Sequence, residues 1–326
     1  MLRIKAFPRV HMSLIGMNSD GYRINGGIGF AISSPTLNMS YAPSDSISIN
    51  DWRSQGFTYD ELTRLKSHLI QISLTEHFDI GFSCVIENGL IASHIGLGSN
   101  TIIYLSCVEA LFIINNRNYT QETIVKLSGR GGTSGIGINT YFKGGFVFDV
   151  GIKNIGNDLL SPSSTFIDSS RPKPLLMNHF QLPSWNLGIC IPQIEHKTEE
   201  DEKLFFEKFC PISKDSAEQI LYEAVYGVSA SLLENDYFVF CQSINAIQRT
   251  RWKQLERDFY GRELLAVEEV ILAAGANCVG MSSFGPMLYF FGDDLNSIVD
   301  IVKQNIPHCT CFISSFNNSA RILEYD

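Results

Sequence analysis

The segment Ser93–Thr101 constrains the fold of this chain most, because its two glycines separate a predicted strand from a predicted helix. The strand is Phe82–Ile86, and apolar residues spaced from Ile102 to Phe112 indicate the helix. Glycine lets a backbone approach a ligand closely, and a helix N-terminus presents unpaired N–H groups with partial positive charge. We therefore expect an anion site here, with Ser99 as helix cap and hydroxyl donor. The alternative is an ordinary glycine turn.

Three further glycine-rich runs favour a ligand site over an ordinary turn. Gly21–Phe30 has three glycines in four positions beside Arg23, which predicts either a phosphate or carboxylate loop or only a hairpin or bulge. Ser128–Gly137 holds five glycines and Arg130 in ten positions. An extended or multiply turned backbone there would offer N–H donors and a guanidinium, and the alternative is a flexible linker. The last run, Ala274–Pro286, precedes a predicted strand.

Composition describes a folded globular protein and limits its partners. The 326 residues are 44% hydrophobic and 18% charged, with a net charge of −9. This acidic balance argues against a broad nucleic-acid surface and leaves room for a local basic pocket. Eight cysteines without CxxC pairs indicate reduced thiols in the cytoplasm. Neither a signal peptide nor an apolar run of membrane-spanning length is visible, so we expect no membrane partner.

Periodicity predicts strands and helices throughout the chain and a junction within Asn154–Pro183, which is rich in Ser, Pro and Asn. The domains are then 1–170 and 171–326, the second richer in helix. Charge density makes Glu195–Lys208 a predicted solvated helix with its lead-in. The other predicted strands are Leu2–Gly16 interrupted at Pro8, Leu37–Tyr41, Ser46–Ile49, Gly144–Val150, Trp185–Pro192, Met287–Phe291 and Cys309–Ser315, and the other helices are Tyr59–Phe78, Gln121–Leu127, Ala217–Asn235, Tyr237–Ile247, Trp252–Ala274 and Asp294–Gln304.

Taken together, the motifs resemble the GHMP superfamily of small-molecule kinases, and within it the beta-ribofuranosylaminobenzene 5'-phosphate synthases and their bacterial relatives. The matching stretches are Arg9–Ile15, Arg23–Gly29, His94–Ser99, Gly129–Gly137 and Ser282–Pro286. The resemblance implies an α+β, GHMP-type two-domain fold. Its N-terminal domain would be ribosomal-protein-S5-like and phosphate-binding, and its C-terminal domain ferredoxin-like.

The resemblance also implies a transfer reaction in the cleft between the domains. In the synthases, phosphoribosyl pyrophosphate reacts with p-aminobenzoate or 4-hydroxybenzoate and releases pyrophosphate and carbon dioxide, towards methanopterin-type cofactors. The alternative is an ATP-dependent GHMP kinase acting on a small alcohol. Kinases of the mevalonate type usually carry an Asp in the loop equivalent to Gly129–Gly137, and this loop has no carboxylate. A third hypothesis is a catalytically silent member that binds a nucleotide or phosphate.

Residue type and loop position give hypotheses for the site. His11, His94 and Arg130 are the candidate catalytic residues, with a histidine as acid–base group and the arginine stabilising the leaving pyrophosphate. We expect Mg²⁺, with Asp149 as a ligand or merely the end of a strand, and ATP only for a kinase. A homodimer is compatible with the sequence. The candidate substrate- or phosphate-binding residues are Arg9, Arg23, Gly26, Gly27, Gly96, Leu97, Gly98, Ser99, Asn100, Thr101, Gly131, Gly132, Thr133, Ser134, Ser282, Ser283 and Gly285.

Overall fold

A computed structural model describes residues 1–156, 160–162, 172–195 and 197–325 of the chain. In these ranges a stretch of π-helix, Glu223–Ser229, lies between two of the helices. The strands are β1 (Leu2–Ala6), β2 (Arg9–Gly16), β3 (Arg23–Ala31), β4 (Leu37–Ser44), β5 (Ser48–Asp51), β6 (Gly81–Ile86), β7 (Phe146–Asp149), β8 (Ile152–Lys153), β9 (Leu176–Phe180), β10 (Asn186–Ile191), β11 (Cys278–Met281), β12 (Leu288–Phe291), β13 (Thr310–Ser315) and β14 (Ile322–Tyr325). The helices are α1 (Tyr59–Thr75), α2 (Ser99–Ile114), α3 (Gln121–Ser128), α4 (Ile136–Lys143), α5 (Glu199–Phe209), α6 (Lys214–Tyr222), α7 (Ala230–Glu234), α8 (Tyr237–Gln248), α9 (Arg251–Tyr260), α10 (Arg262–Ala273) and α11 (Leu295–Asn305).

Three sheets organise the described residues. The first has the order β14-β1-β4-β6-β5, and the second has the order β2-β3-β7-β9 with β8 beside β3. The third, β11-β12-β10-β13, is antiparallel and belongs to the second half of the chain. The predicted boundary between residues 170 and 171 lies outside the described residues. β9 and β14, which follow that point in the chain, pair with β7 and β1.

Helix α2 forms the centre of the first half. All residues from Leu105 to Phe112 are buried, so the helix is covered on every side. It packs on β1, β4 and β6 of the first sheet, and α4 packs on β2, β3 and β7 of the second. Contacts between α2 and α4 join the two layers. This packing places the N-terminus of α2 beside the Gly-rich segment (Ser128–Gly137), which leads into α4.

Most predicted elements are confirmed, but several predictions about the glycine runs and helices were wrong. The run Gly21–Phe30 is largely strand β3 and not the predicted phosphate loop, whereas the alternative of a hairpin or bulge is confirmed by its antiparallel pairing with β2, in which the register shifts between His11 and Ser13. Its glycines allow close packing, since a Cβ on Gly29 would lie 2.4 Å from the Val10 oxygen and 2.7 Å from Cγ2 of Ile136. The predicted helix Trp252–Ala274 is two helices separated at Gly261, where φ is +74°.

Three other elements differ from expectation. The run Ser128–Gly137 ends in helix α4, which its glycine content disguised. Ala217–Asn235 is interrupted by the π-helical stretch and stops at Asn235 in the left-handed conformation. Strand β14 follows the strand that we expected to close the fold. Of the helices in the described ranges, none combines the length and apolarity needed to cross a bilayer.

A buried carboxylate ties α2 to the segment before β14. Glu109 is fully buried, and its oxygens accept hydrogen bonds from the hydroxyl groups of Tyr119 and Tyr141 at 2.9 and 2.7 Å. Arg321 adds an ion pair to the same carboxylate. Three side chains of this cluster therefore share one carboxylate, and the Tyr141 hydroxyl also lies 3.1 Å from Oγ of Ser106.

We expect Glu109→Ala to lower the free energy of unfolding by about 3 kcal/mol, because breaking one partner of a buried ion pair leaves the other without compensation. Urea unfolding of the full chain measures this. Glu324→Ala, on the exposed face of β14, is the matched control and should change stability by less than about 0.5 kcal/mol. Equal stability of both variants would contradict the role of Glu109.

Candidate functional site

A cavity of about 150 Å³ lies where the N-terminus of α2, the Gly-rich segment and helix α5 meet. Both halves of the chain contribute to its lining, and residues of both charge signs face it. Its lining residues are Arg9, His11, Leu14, His94, Gly96, Gly98, Ser99, Asn100, Thr101, Arg130, Gly131, Thr133, Ser134, Gly137, Ile138, Pro162, Lys197, Thr198, Glu199, Glu202, Phe206, Glu256, Ser283 and Phe284.

Two arginines give the cavity a cationic wall. Arg9 donates from Nη1 to the carbonyl oxygen of Gly96 at 2.5 Å, and Arg130 donates from Nη2 to Oγ1 of Thr101 at 3.3 Å. Nε of Arg130 is buried and has no hydrogen-bond partner in the described part of the chain. Burial, with a contribution from the Arg130 charge, lowers the pKa of Arg9 to about 10, so both groups are cations at neutral pH.

The N-terminus of α2 completes the cationic wall. Gly96 and Gly98 have φ values of +95° and +78°, which residues with a Cβ rarely adopt. Gly98 is the N-cap and has no side chain, so our prediction that Ser99 caps the helix was wrong. The Ser99 hydroxyl instead donates to the Ala92 oxygen at 3.1 Å. The N–H groups of the first helical turn lack partners within the helix and can donate hydrogen bonds to an anion.

A chain of hydrogen bonds runs from the cavity-lining residues His11 and Ser134 to the buried Asp149. The Ser134 hydroxyl donates to Oδ2 of Asp149 at 3.2 Å and accepts from the Ile136 N–H at 3.2 Å. Nε2 of His11 lies 3.2 Å from Oγ of Ser134. With the Ser134 proton directed at an ionised Asp149, we assign the Nε2–H tautomer to His11, which then donates to the Ser134 hydroxyl. Burial lowers the pKa of His11 well below its usual range, in agreement with a neutral ring.

Asp149 does not fit the predicted metal-ligand role. It is fully buried, does not line the cavity and accepts hydrogen bonds from the N–H groups of Gly135 and Gly151 at 2.9 and 3.0 Å. Burial raises its pKa to about 7, although these donors and Ser134 oppose the shift. We therefore assign Asp149 to fixing the turns on either side of the Gly-rich segment.

His94 faces the cavity as one half of an ion pair. Its Nε2 lies 2.6 Å from Oε1 of Glu61, whose other oxygen accepts from the N–H and hydroxyl of Thr58 in the cap of α1. Burial lowers the pKa of His94, but the hydrogen bond and charge of Glu61, with the charges of Glu199 and Glu202, outweigh burial and raise it. The Glu61 ion pair therefore favours the protonated form of His94, which is a cation and cannot accept a proton.

Glu61, His94 and Glu199 also form the one group in the described residues with metal-ligand spacing, their ligand atoms lying within 4.8 Å of one another. Ion pairs already compensate the charges of these three side chains. Glu61 pairs with His94, and Glu199 pairs with Arg64 at 3.1 Å. A cation could bind only by displacing the proton that the raised pKa of His94 retains. The geometry favours an ion-pair network.

Helix α5 forms an acidic wall that the sequence analysis missed. Thr198 caps the helix and forms a capping box with Asp201. One face then directs Glu199, Glu202 and Phe206 into the cavity, at steps of three and four residues. The prediction that this segment is a solvated helix was wrong for this face. The four-residue spacing of Glu202 and Phe206 could have indicated that both side chains lie on one face of the helix. The many charged residues of the segment instead favoured the interpretation of a solvated helix.

Ser282 supports the site from behind. Its hydroxyl donates to the Gly96 oxygen at 2.7 Å and accepts from the His11 N–H at 2.9 Å, and the residue is fully buried. Gly285 is packed just as closely, since a Cβ there would lie 2.2 Å from the Gly96 nitrogen. Of this motif, Ser283 and Phe284 line the cavity, whereas Ser282 and Gly285 do not.

Five other predicted binding residues lie away from the cavity lining. Arg23 donates from Nε and Nη2 to the carbonyl oxygens of Val150 and Gly151 at 2.9 and 2.5 Å, so it fastens β3 to the turn after β7. The side chain of Leu97 belongs to the hydrophobic core. The three glycines Gly26, Gly27 and Gly132 are buried in the scaffold and do not line the cavity.

We expect Gly98→Val to weaken binding of inorganic pyrophosphate at least about tenfold, as measured by titration calorimetry. The valine would have to adopt a φ of +78°, and its Cβ would lie 3.2 Å from Cγ and Nε of Arg9. Gly89→Val is the matched control, since no atom lies within 4 Å of a Cβ at that position. Unchanged pyrophosphate affinity in the folded Gly98 variant would remove this loop from the anion site.

The chain is similar in structure to several solved kinases. A putative sugar kinase from Campylobacter jejuni superposes with a TM-score of 0.71 at 13% identity, covering 99% of this chain and 98% of that one. Homoserine kinase from Cytophaga hutchinsonii gives 0.65 at 16%, covering 99% and 97%. L. major mevalonate kinase, solved with R-mevalonate, gives 0.65 at 14%, covering 98% and 96%. At these identities the likeness establishes the GHMP kinase fold, as predicted.

Sequence comparison identifies nearer relatives. No protein-family model matches the chain. The beta-ribofuranosylphenol 5'-phosphate synthase of Methanocaldococcus jannaschii is 30% identical over 298 residues, covering 89% of each chain. The enzyme of the same name from Methanothermobacter thermautotrophicus is 28% identical over 299 residues, covering 90% of this chain and 89% of that one. The chain therefore belongs to the beta-ribofuranosylphenol 5'-phosphate synthase family of enzymes, built on the GHMP kinase fold.

Proposed function

We propose that the protein joins phosphoribosyl pyrophosphate to a para-substituted benzoate, 4-hydroxybenzoate or p-aminobenzoate, and releases pyrophosphate and carbon dioxide. The observation that carries this proposal is a cavity whose cationic wall of Arg9, Arg130 and the α2 N-terminus faces an apolar and acidic wall. The family supports it, since relatives are named for a ribofuranosylphenol 5'-phosphate. A phenol is what 4-hydroxybenzoate leaves on the ribose after its carboxyl group departs. The product would serve methanopterin-type cofactor synthesis.

The cationic wall suits the pyrophosphate of the donor. Oxygen atoms of a leaving pyrophosphate gain charge as the bond to ribose C1 breaks, and fixed N–H and guanidinium donors stabilise that charge. Arg130 has a buried Nε without a partner among the described residues, which a phosphate oxygen would satisfy. Arg9 offers a second guanidinium for a phosphate or for the acceptor's carboxylate, since Arg23 is engaged elsewhere.

The apolar lining suits an aromatic acceptor better than a small alcohol. Leu14, Ile138, Phe206 and Phe284 all face the cavity. A benzene ring gains free energy by leaving water for such a surface, and edge-to-face contact with phenylalanine adds to it. This lining is a specific reason to prefer a benzoate.

Mg²⁺ would enter, in this proposal, with the donor. Neither Asp149 nor the group of Glu61, His94 and Glu199 fits a separate magnesium site, because hydrogen bonds occupy the Asp149 carboxylate and ion pairs engage the other three side chains. Mg²⁺ binds readily through substrate phosphates and retained water molecules, and pyrophosphate oxygens supply such ligands.

An ATP-dependent kinase is the second candidate, because the solved structures of this fold named above are kinases. Against it, the segment Gly129–Gly137 has no carboxylate to accept a hydroxyl proton. The nearby Asp149 is fully buried and hydrogen-bonded away from the cavity.

We expect the purified protein, given Mg²⁺, phosphoribosyl pyrophosphate and 4-hydroxybenzoate or p-aminobenzoate, to release equal amounts of pyrophosphate and carbon dioxide. One bond forms between ribose C1 and the ring carbon that bears the carboxylate, and the two leaving groups depart. Absence of release with either acid, together with ADP formation from ATP and small alcohols, would establish the kinase instead. Phosphate-ligand binding without turnover would identify a silent member.

We expect Arg130→Ala to raise KM for phosphoribosyl pyrophosphate at least about tenfold, because a charge-assisted hydrogen bond to an anion is lost. Arg117→Ala removes an arginine on the exposed surface and should leave KM unchanged. Steady-state kinetics of pyrophosphate release measures both. An unaltered KM and rate for the Arg130 variant would exclude this guanidinium from donor binding.

A further inference from the structure

The acidic wall contains one carboxylate without a partner. Glu199 pairs with Arg64 at 3.1 Å, and Glu256 pairs with Lys253 at 2.5 Å. For Glu202, which also lines the cavity, the described residues provide no hydrogen bond or ion pair. Resting on the function proposed above, we propose that Glu202 is the general base that accepts the para-hydroxyl proton of a hydroxybenzoate acceptor.

The position of Glu202 is fixed by packing. Helix α5 begins at a capping box, and Phe205 and Phe206 anchor its second turn in the core. Phe205 packs against Trp252 and Phe284 with ring centroids 5.4 and 4.9 Å apart. The helix therefore holds the Glu202 side chain over the cavity without any polar tether. A base held by its backbone keeps both carboxylate oxygens available for substrate.

The surroundings of Glu202 tune it for proton transfer. Burial raises its pKa to about 7, with the charges of Glu256 and Glu199 adding to the shift and those of His94 and Arg130 opposing it. A base is most effective when its pKa lies near the working pH. The ionisable groups that line the cavity with Glu202 or interact with its charge are Arg9, His11, His94, Arg130, Lys197, Glu199, Glu256 and Tyr260.

The two histidines that line the cavity are less suited to this role. His11 directs Nε2–H at Ser134, and its pKa lies well below the usual range because of burial. His94 is paired with Glu61 and holds its proton. Both can assist by charge or hydrogen bonding. His11 is therefore a weak base and His94 retains its proton, whereas the Glu202 carboxylate has no hydrogen bond or ion pair among the described residues.

The step balances without a further reactant. Glu202 takes the hydroxyl proton, and the oxygen lone pair moves into the ring, raising electron density at the para carbon, which bears the carboxylate. That carbon bonds to ribose C1 while the C1–O bond breaks and its electron pair leaves with pyrophosphate. The bond to the carboxyl carbon then breaks, its electrons restore the aromatic ring, and carbon dioxide departs. Protonated Glu202 returns the proton to the phenol oxygen.

The amino analogue provides an internal comparison. The amine lone pair of p-aminobenzoate drives the same attack without prior loss of a proton, whereas a phenol ionises only near about pH 10 and needs a base at neutral pH. Removing the base should therefore affect one acceptor and spare the other. A purely structural role for Glu202 would affect both equally.

We expect Glu202→Gln to lower kcat with 4-hydroxybenzoate about 100-fold and to leave KM for phosphoribosyl pyrophosphate within about threefold of wild type. The wild-type rate with this acceptor should fall as pH drops below about 7, because the protonated carboxyl cannot accept a proton, and the variant should lose this dependence. With p-aminobenzoate, or with 3,5-difluoro-4-hydroxybenzoate, whose hydroxyl ionises at lower pH, the two proteins should differ by less than about threefold. Glu207→Gln, on the exposed face of α5, should match wild type throughout.

Three results would overturn the proposal for Glu202 while leaving the transferase function intact. They are a Glu202→Gln rate within threefold of wild type with 4-hydroxybenzoate, an unchanged acid limb of the pH profile, or an equal loss with all acceptors. Wild-type protein that is inactive with every acceptor would instead remove the proposed function, and the base with it. Circular dichroism and thermal unfolding identify any variant that loses activity by misfolding.

Discussion

The cavity depends on Ser282, whose side chain joins strand β2 to the loop before α2. One hydroxyl accepts the His11 N–H and donates to the Gly96 oxygen, so β2, the loop before α2 and the turn after β11 are held together within hydrogen-bonding distance. The Ser283 N–H adds a bond to the His11 oxygen at 2.9 Å. Gly285 permits the close approach, since any Cβ there would meet the Gly96 backbone. A wall so fixed needs little reorganisation when an anion binds.

The two walls of the cavity differ in how their charges are compensated. Glu199 and Glu256 have cationic partners, whereas the hydrogen bonds of Arg9 and Arg130 run to neutral oxygen atoms, a carbonyl and a hydroxyl. Burying a guanidinium without an anion is costly, and a phosphate would offset that cost. The net charge of −9 over the whole chain therefore hides a local cationic wall within a cavity that both charge signs line. This contrast favours selective attraction of a small anion over a polyanion.

Sequence patterns predicted the scaffold better than the site. Periodicity located α1 and α2, and the structure shows that several glycines lie where the backbone is crowded. A glycine does not say what approaches it, however: Gly98 opens towards Arg9 and the cavity, whereas Gly29 makes room for the Ile136 side chain. Glu202 was not predicted as a site residue because, in the sequence, a carboxylate in a charged helix cannot be distinguished from one exposed to solvent. The spacing of residues does not show what surrounds Glu202 in the fold, since the cavity is built from three distant segments.

The pairing of β14 with β1 has a consequence for how the chain reaches its native state. The first sheet contains both Leu2–Ala6 and Ile322–Tyr325, so its hydrogen-bond ladder spans almost the whole sequence. Contacts of such long range are slow to form because the intervening chain must first be ordered. During synthesis, an edge of the first sheet would stay open until the last strand emerges. The two halves are therefore poor candidates for separate production, because the first sheet takes strands from both.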